Sequence, residues 1–177
     1  MNNETSINQG NDMFDELNVI VFIPTYNNAP KLEAVLEDVL RYTNNILVVN
    51  DGSTDGTAEI LHRYTHIEVL HLPLNQGKGV ALKKGIDWAL QKGYRYLISM
   101  DSDGQHLAKD LPSFLVKIEG EPDSMIIGAR NMDTADGVPE GSSFGYKFSN
   151  FWFRLEAGKS LPDTQSGFRL YPLQHFK

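Results

Sequence analysis

The sequence predicts an α/β fold, a mostly parallel sheet with helices on both faces. Two observations predict it. Apolar runs of six or seven residues, typical of strands buried on both faces, alternate with longer segments whose apolar residues recur at helical spacing. Such alternation is the pattern of βαβ units, whose crossovers are right-handed. The 177 residues, 41% of them hydrophobic, are enough to bury the core of one domain.

The strands and helices follow one another in strict order along the chain. The strands are expected at residues 18–24, 45–50, 67–72, 94–100 and 124–129, and the helices at 30–42, 53–64, 80–93 and 110–120. In the first helix, Leu32, Leu36 and Val39 lie on one face, and Pro30 suits the first turn. Capping residues open the second helix, and Gly93 ends the third.

The two ends of the chain depart from this pattern. Residues 1–17 are polar, have no secretory signal and are expected to form a mobile tail before a domain over 18–177. After Arg130, we expect a loop, an aromatic-rich amphipathic helix at 144–158, and a loop with a short strand at 161–173. Trp152 and its aromatic neighbours are expected to pack in the core; ligand binding or a covered outer face are the alternatives. The sequence stops on an apolar stretch, so a C-terminal part is expected to be missing.

Composition excludes several classes of function. The net charge of −7 argues against a surface built to bind nucleic acid. The absence of cysteine excludes disulfides and thiolate metal sites, and it suits a reducing compartment. No apolar run has the roughly 18 residues that a membrane span needs, which leaves work beside a membrane open.

Polar, turn-forming residues follow the strands. In open parallel sheets, ligands bind outside the carboxyl ends of the strands. The exits at 24–28, 50–57, 101–106 and 128–130 are therefore expected to converge on one edge of the sheet.

Asp101 and Asp103 end an apolar strand and, with alternating side chains, point the same way. Two adjacent carboxylates repel unless a cation lies between them. Oxygen ligands without cysteine suit Mg²⁺ or Mn²⁺, which keep room for water and phosphate oxygens. The pattern therefore predicts a site for a metal and a diphosphate. The alternative is a solvated turn, where aspartate and serine are common.

Six other positions carry weaker signals. Asp51 could accept a hydrogen bond from a base or sugar, while the residues after it cap a helix. Lys78 lies between two glycines ahead of a helix, a position that favours anions, although an ordinary surface lysine is the alternative. Arg130 and Arg169 are candidates for phosphate binding. Asp163 is a general base, a partner for Arg169 or a loop acid without a role. His106 is a residue near the metal or simply part of a turn.

Six blocks in order resemble a known family. "IPTYNN", "VVNDGSTDGT", "NQGKGVALKKG", "MDSDGQH", "GAR" and "DTQSGFRLY" are similar to the blocks of family 2 glycosyltransferases with the GT-A, Rossmann-like fold. The resemblance is strongest to the branch of dolichol-phosphate mannosyltransferase-like and polyprenyl-phosphate glycosyltransferases. One departure is Asn28, since the family often has glutamate there.

The resemblance implies a UDP- or GDP-sugar donor, Mg²⁺ or Mn²⁺ as cofactor, and a role for each matching residue. The implied metal ligands are Asp101, Asp103 and Gln105. Asp103, Asp163 and Arg130 are implied in catalysis, and Arg130, Lys147 and Arg169 in contacts with phosphate or acceptor. The donor would lie against Pro24, Thr25, Tyr26, Asn27, Asp51, Ser53, Lys78, Asp101 and Ser102.

The implied reaction is an inverting, metal-dependent transfer of a sugar to a polyprenyl or dolichyl phosphate or to a cell-surface glycan. The implied location is cytoplasmic, at the inner face of the membrane, with peripheral contact through the missing C-terminal part. Two alternatives stay open. One is a non-catalytic fragment that binds nucleotide-sugar. The other is a sugar-phosphate nucleotidyltransferase, whose usual Gly-rich first loop is absent.

Overall fold

The sheet has six strands in the order β3-β2-β1-β4-β6-β5. The computed structural model describes residues 13–128 and 166–177. β1, β2, β3 and β4 are parallel neighbours, whereas β6 runs antiparallel to both β4 and β5. The predicted α/β fold with a mostly parallel sheet is thus confirmed. The strands are β1 (Val19–Thr25), β2 (Ile46–Asn50), β3 (Glu68–His71), β4 (Tyr96–Ser99), β5 (Ile126–Ile127) and β6 (Arg169–Pro172).

Helices cover both faces of the sheet because the inner strands are apolar on both sides. Val19, Val21 and Ile23 of β1 belong to the core that includes buried residues of α1, α2 and α4. Ile20 and Phe22, which alternate with them, belong to a second core with α3. The helices are α1 (Ala29–Leu40), α2 (Thr57–His62), α3 (Lys78–Gln91) and α4 (Leu111–Gly120), and 3-10 turns occupy Ala108–Asp110 and Leu173–Phe176.

Two of the predicted helix ends agree with the structure, and a third differs from it. Pro30 lies in the first turn of α1. Gly93, with a φ of 85°, ends α3, and the amide of Tyr94 donates to the carbonyl of Ala89 over 3.0 Å, as in a Schellman motif. The helix predicted from residue 53 begins only at Thr57. Residues 53 and 54 are instead engaged with the exit of β1.

The end of the predicted N-terminal tail is ordered against the domain. Residues 13–16 form a helical turn, and Phe14 is fully buried in the core beside α1. The last residues of the predicted tail therefore pack against the domain through one aromatic side chain. Residues 1–12, the helix predicted at 144–158 and Trp152 lie outside the described residues.

Within residues 13–128 and 166–177, no helix is both long enough and apolar enough to span a bilayer.

Candidate functional site

A cavity of about 500 Å³ opens at the carboxyl ends of β1, β2 and β4. Three of the four predicted strand exits meet there, because parallel strands in register end at the same edge of the sheet. The fourth exit begins at Gly128 and continues outside the described residues. The lining residues are Pro24, Thr25, Tyr26, Asn27, Asn28, Asp51, Asn75, Gly77, Lys78, Ala81, Asp101, Ser102 and Asp103.

Asn27 fastens the exit of β1 to the exit of β2. It adopts a left-handed conformation with a φ of 48°, which asparagine tolerates better than most residues. Its backbone amide donates to Ser53 Oγ over 3.0 Å, and its side-chain oxygen accepts from the amide of Thr54 over 2.7 Å. Ser53, predicted to bind the donor, is absent from the cavity lining and supports Asn27 from behind.

Asn28 fastens the exit of β1 to the loop after β4. Its Nδ2 donates to the carbonyl oxygen of Ser102 over 2.5 Å and to Ser102 Oγ over 3.0 Å. An amide can donate in this way and a carboxylate cannot. The departure from glutamate at this position therefore coincides with a tether between two walls of the cavity. The sequence marked the position but gave no sign of its partner.

Asp51 shapes the cavity through the backbone. Its side chain is almost fully buried, and its two oxygens accept from the amides of Gln76 over 2.8 Å and Gly77 over 2.7 Å. Asp51 was expected to face a base or sugar. In the structure it fixes the loop that leads into α3, and through that loop it places Lys78 at the cavity wall.

Lys78 and Asp101 form an ion pair across the cavity, with 2.6 Å between Lys78 Nζ and Asp101 Oδ1. The side chain of Lys78 is 58% exposed and that of Asp101 is 24% exposed. Lys78 is therefore paired with a carboxylate of the cavity wall, and its role in binding an anion stays a prediction. Asp103 lies two residues further on, where its Oδ1 accepts from the amide of Gln105 over 3.0 Å.

Asp101 is enclosed from behind by residues near β6. His106 is buried, its Nε2 lies 4.0 Å from Asp101 Oδ2, and its ring packs on Phe168 with centroids 5.0 Å apart. His106 is thus part of a packed wall behind Asp101. Gly167 lies so close that a Cβ at this position would overlap the Asp101 carboxylate. Gly167 lies in the block "DTQSGFRLY", but the sequence assigned no role to it.

The remaining predicted residues are distributed as follows. Gln105 and Arg169 are described but are absent from the cavity lining. Arg169 opens β6, where its Nε donates to the carbonyl of Ser166 over 2.7 Å. Arg130, Lys147 and Asp163 lie outside the described residues. Sequence reasoning missed Asn75, Gly77 and Ala81 in the lining, and also Lys31, whose Nζ donates to the backbone oxygen of Asp103 over 3.1 Å.

Asp55 joins the N-termini of α1 and α2. Its Oδ2 accepts from the amide of Ala29 and its Oδ1 from the amide of Thr57, each over 3.0 Å. The Thr57 hydroxyl beside it, together with these backbone amides, holds the pKa of Asp55 below its ordinary value of 3.8, against an opposing effect of burial. The carboxylate form of Asp55 is therefore favoured by the fold.

The donor set at the cavity fits a hard divalent cation that keeps part of its shell for other ligands. Within 13–128 and 166–177, no group of three or more His, Cys, Asp or Glu side chains could hold a metal ion. Asp101 and Asp103 supply two carboxylates at one wall, and the cavity beside them has room for water and phosphate oxygens. This combination suits Mg²⁺ or Mn²⁺ shared with a diphosphate, and it does not suit a structural zinc site.

Comparison with known families and relatives extends these observations. Residues 20–177 match the model of the family described as glycosyl transferase family 2. Polyprenol monophosphomannose synthase of Mycolicibacterium smegmatis is 32% identical over 161 residues, which cover 86% of this chain and 60% of that protein. Undecaprenyl-phosphate mannosyltransferase of Micrococcus luteus is 30% identical, over 88% of this chain and 66% of that protein.

Solved structures share the fold at lower identity. Glucosyl-3-phosphoglycerate synthase of Mycobacterium tuberculosis, in complex with phosphoglyceric acid, superposes with a TM-score of 0.70 at 18% identity, over 95% of this chain and 61% of that one. The same enzyme with Mn²⁺, UDP-glucose and phosphoglyceric acid gives a TM-score of 0.66 at 19% identity. This chain thus spans about three fifths of the length of the mycobacterial proteins that it matches.

Proposed function

The chain belongs to glycosyl transferase family 2, and from this premise we propose that it transfers a hexose from a nucleotide-diphosphate-sugar to a polyprenyl phosphate. The observation that carries the proposal is the cavity at the carboxyl edge of the sheet, with an ion pair and a second carboxylate on its walls. Two relatives are named for transfer of mannose to a polyprenol or undecaprenyl phosphate, and another for transfer of glucose to dolichyl phosphate.

Different walls of the cavity would bind different parts of the nucleotide-sugar donor. The exits of β1 and β2, with Tyr26, Asn27 and Asp51, would surround the base and ribose. The diphosphate would lie between Lys78 and the two aspartates, where a cation is needed to prevent repulsion from Asp101 and Asp103. Mg²⁺ or Mn²⁺ held by these carboxylates supplies charge stabilisation for the diphosphate leaving group when bound.

Residues of this chain contribute to the reaction mainly by orientation and charge. Lys78 offers an ammonium to the diphosphate, and the tether from Asn28 to Ser102 keeps the walls at a fixed separation. An acceptor that attacks the anomeric carbon opposite the diphosphate inverts its configuration. A lipid phosphate is already an anion and needs no base, whereas a hydroxyl acceptor such as a glycan requires one, for which Asp163 is the candidate. Arg130, Lys147 and Arg169 are the candidates for contacts with the acceptor phosphate.

A second candidate function is binding of a nucleotide-diphosphate-sugar without transfer of the sugar, which the cavity at the carboxyl edge of the sheet would support by itself. The nucleotidyltransferase alternative predicts release of pyrophosphate from a nucleoside triphosphate, and no described feature favours it.

Ligand-dependent thermal stability tests the donor and metal assignments. UDP or GDP should raise the melting temperature in the presence of Mn²⁺ or Mg²⁺ and not in EDTA; ligand at one hundred times its Kd adds about 2.7 kcal/mol of stability. Asp103→Ala should remove the shift. Asp87→Ala, on the outer side of α3 where Asp87 pairs with Lys83, is the matched control and should retain it. Equal stabilisation in EDTA would contradict the proposed metal site.

Transfer itself is tested with labelled UDP-glucose or GDP-mannose and a polyprenyl phosphate. Radioactivity should move into the organic phase with wild-type protein and stay in water with Asp103→Ala. Binding of the nucleotide-sugar without transfer would instead support the second candidate function.

A further inference from the structure

Lys78 forms an ion pair with Asp101, one of the two carboxylates that are proposed to bind the metal. Its Nζ lies 2.6 Å from Asp101 Oδ1, a distance at which the ammonium donates a hydrogen bond directly to that oxygen. A divalent ion bound to the same oxygen would lie close to the ammonium, and the two cations would repel each other. Lys78 and the metal therefore compete for Asp101.

The fold holds Lys78 in this competing position. Lys78 is the first residue of α3, directly after Gly77, which has a φ of 92°. Asp51 accepts from the amides of Gln76 and Gly77 and fixes the backbone of that turn. Asp101 is fixed as well, because Gly167 packs against its carboxylate and His106 lies behind it. The ion pair is thus formed between two anchored positions, and only the exposed end of Lys78 is free to turn away.

A diphosphate changes the balance of this competition. It offers Lys78 a new anionic partner in the same cavity, so that the ammonium can leave Asp101 without losing a counter-ion. Asp101 then becomes available to the metal. Without a diphosphate, a metal that displaces Lys78 from Asp101 breaks the ion pair, and Lys78 gains no new anionic partner in exchange.

We propose that Lys78 is a positioning residue that neutralises Asp101 in the empty cavity and releases it to the divalent ion when a nucleotide diphosphate binds. This inference rests on the proposed function. Metal and nucleotide then bind with positive coupling, and by linkage each tightens the other by the same factor. A lysine that only binds phosphate would contribute to nucleotide affinity without affecting metal affinity in the empty cavity.

Binding of Mn²⁺ in the absence of nucleotide distinguishes competition for the metal site from simple phosphate binding by Lys78. It is measured by electron paramagnetic resonance, which detects the free ion. Lys78→Met should bind Mn²⁺ up to about fivefold more tightly than wild type, since a partly exposed ion pair opposes binding by this order. UDP or GDP binding in EDTA should weaken in the same variant. The factor by which Mn²⁺ tightens nucleotide binding should therefore shrink.

Matched variants identify the cause. Lys83→Met removes the same charge and an ion pair of 2.8 Å on the same helix, but away from Asp101, and should leave Mn²⁺ binding unchanged. Lys78→Arg keeps the cation and should bind Mn²⁺ without nucleotide no more tightly than wild type. Unchanged or weaker Mn²⁺ binding by Lys78→Met would overturn the inference. Wild-type protein that binds neither nucleotide nor metal would instead contradict the proposed function.

Discussion

Asp51 stabilises the backbone of the loop before α3, in addition to any role in ligand binding. A buried carboxylate is costly unless it is paired or hydrogen-bonded. Here both oxygens accept backbone amides of the loop before α3, and no counter-charge is needed. The acid therefore orders the segment that presents Lys78, and it leaves lone pairs that a ligand could still use.

Asp51→Asn should destabilise the protein by about 1–3 kcal/mol, because the new Nδ2 would face an amide that now donates to the carboxylate. Urea unfolding measures this, and hydrogen exchange at Gln76 and Gly77 should accelerate. Asp87→Asn, which changes an exposed carboxylate on α3, should stay within about 0.5 kcal/mol of wild type. Unchanged hydrogen exchange at the amides of Gln76 and Gly77 would contradict this role of Asp51.

Hydrogen bonds between residues far apart in the chain could not be predicted from the sequence. The cavity could be anticipated, since Asp51, Lys78, Asp101 and Asp103 all follow strand ends or open a helix. The bond from Asn28 to Ser102 joins residues 74 positions apart. Its formation depends on the relative height of two strands and on rotamers, and neither has a local signature.

Helix α3 illustrates packing at the element scale. It alone of the four described α-helices belongs to the core that contains Phe22, and it approaches β1 closely through Gly85. A Cβ at Gly85 would lie 2.5 Å from Phe22 Cε2. The ring is fully buried and cannot move into solvent. Glycine at this position therefore permits close approach of helix and strand.

Gly85→Ala should destabilise the protein by about 1–3 kcal/mol, although alanine is the better helix former. Gly79→Ala on the same helix has nothing within 4 Å of the new Cβ and should be neutral or stabilising by up to about 1 kcal/mol. Urea denaturation of both variants measures the difference. If both substitutions stabilised equally, the contact with Phe22 would not limit the helix position.

Among elements, the parallel strands were predictable and β6 was predictable only in part. β1 to β4 lie within two residues of their predicted bounds, because buried apolar runs bounded by turn residues are an unambiguous signal in this chain. A short strand near the end of the chain was expected too. Its antiparallel direction and its insertion between β4 and β5 were not, since four residues carry no information about direction or neighbours.

At the scale of the whole molecule, β6 connects the end of the described chain to the centre of the sheet. Ile98 of β4 pairs with Leu170 of β6, and the turn that leads into β6 reaches Asp101. The wall behind Asp101 is therefore completed only when this distant segment has docked. Pairing over such a separation carries a large loop-closure cost and is expected to form late in folding.

Gly167→Ala tests whether this docking sets the position of Asp101. The new Cβ would overlap the Asp101 carboxylate, so either the carboxylate or the turn has to shift. Because mutation of residues that contact a metal ligand typically changes metal affinity by about 10–100-fold, metal-dependent nucleotide binding should weaken by at least about tenfold.

Gly120→Ala, at the end of α4 with no atom within 4 Å of the added Cβ, is the matched control and should bind nucleotide as wild type does. Circular dichroism would establish that both variants fold, and calorimetry with UDP or GDP and Mn²⁺ would compare them. A folded Gly167→Ala protein with wild-type affinity would mean that Asp101 is placed by β4 alone.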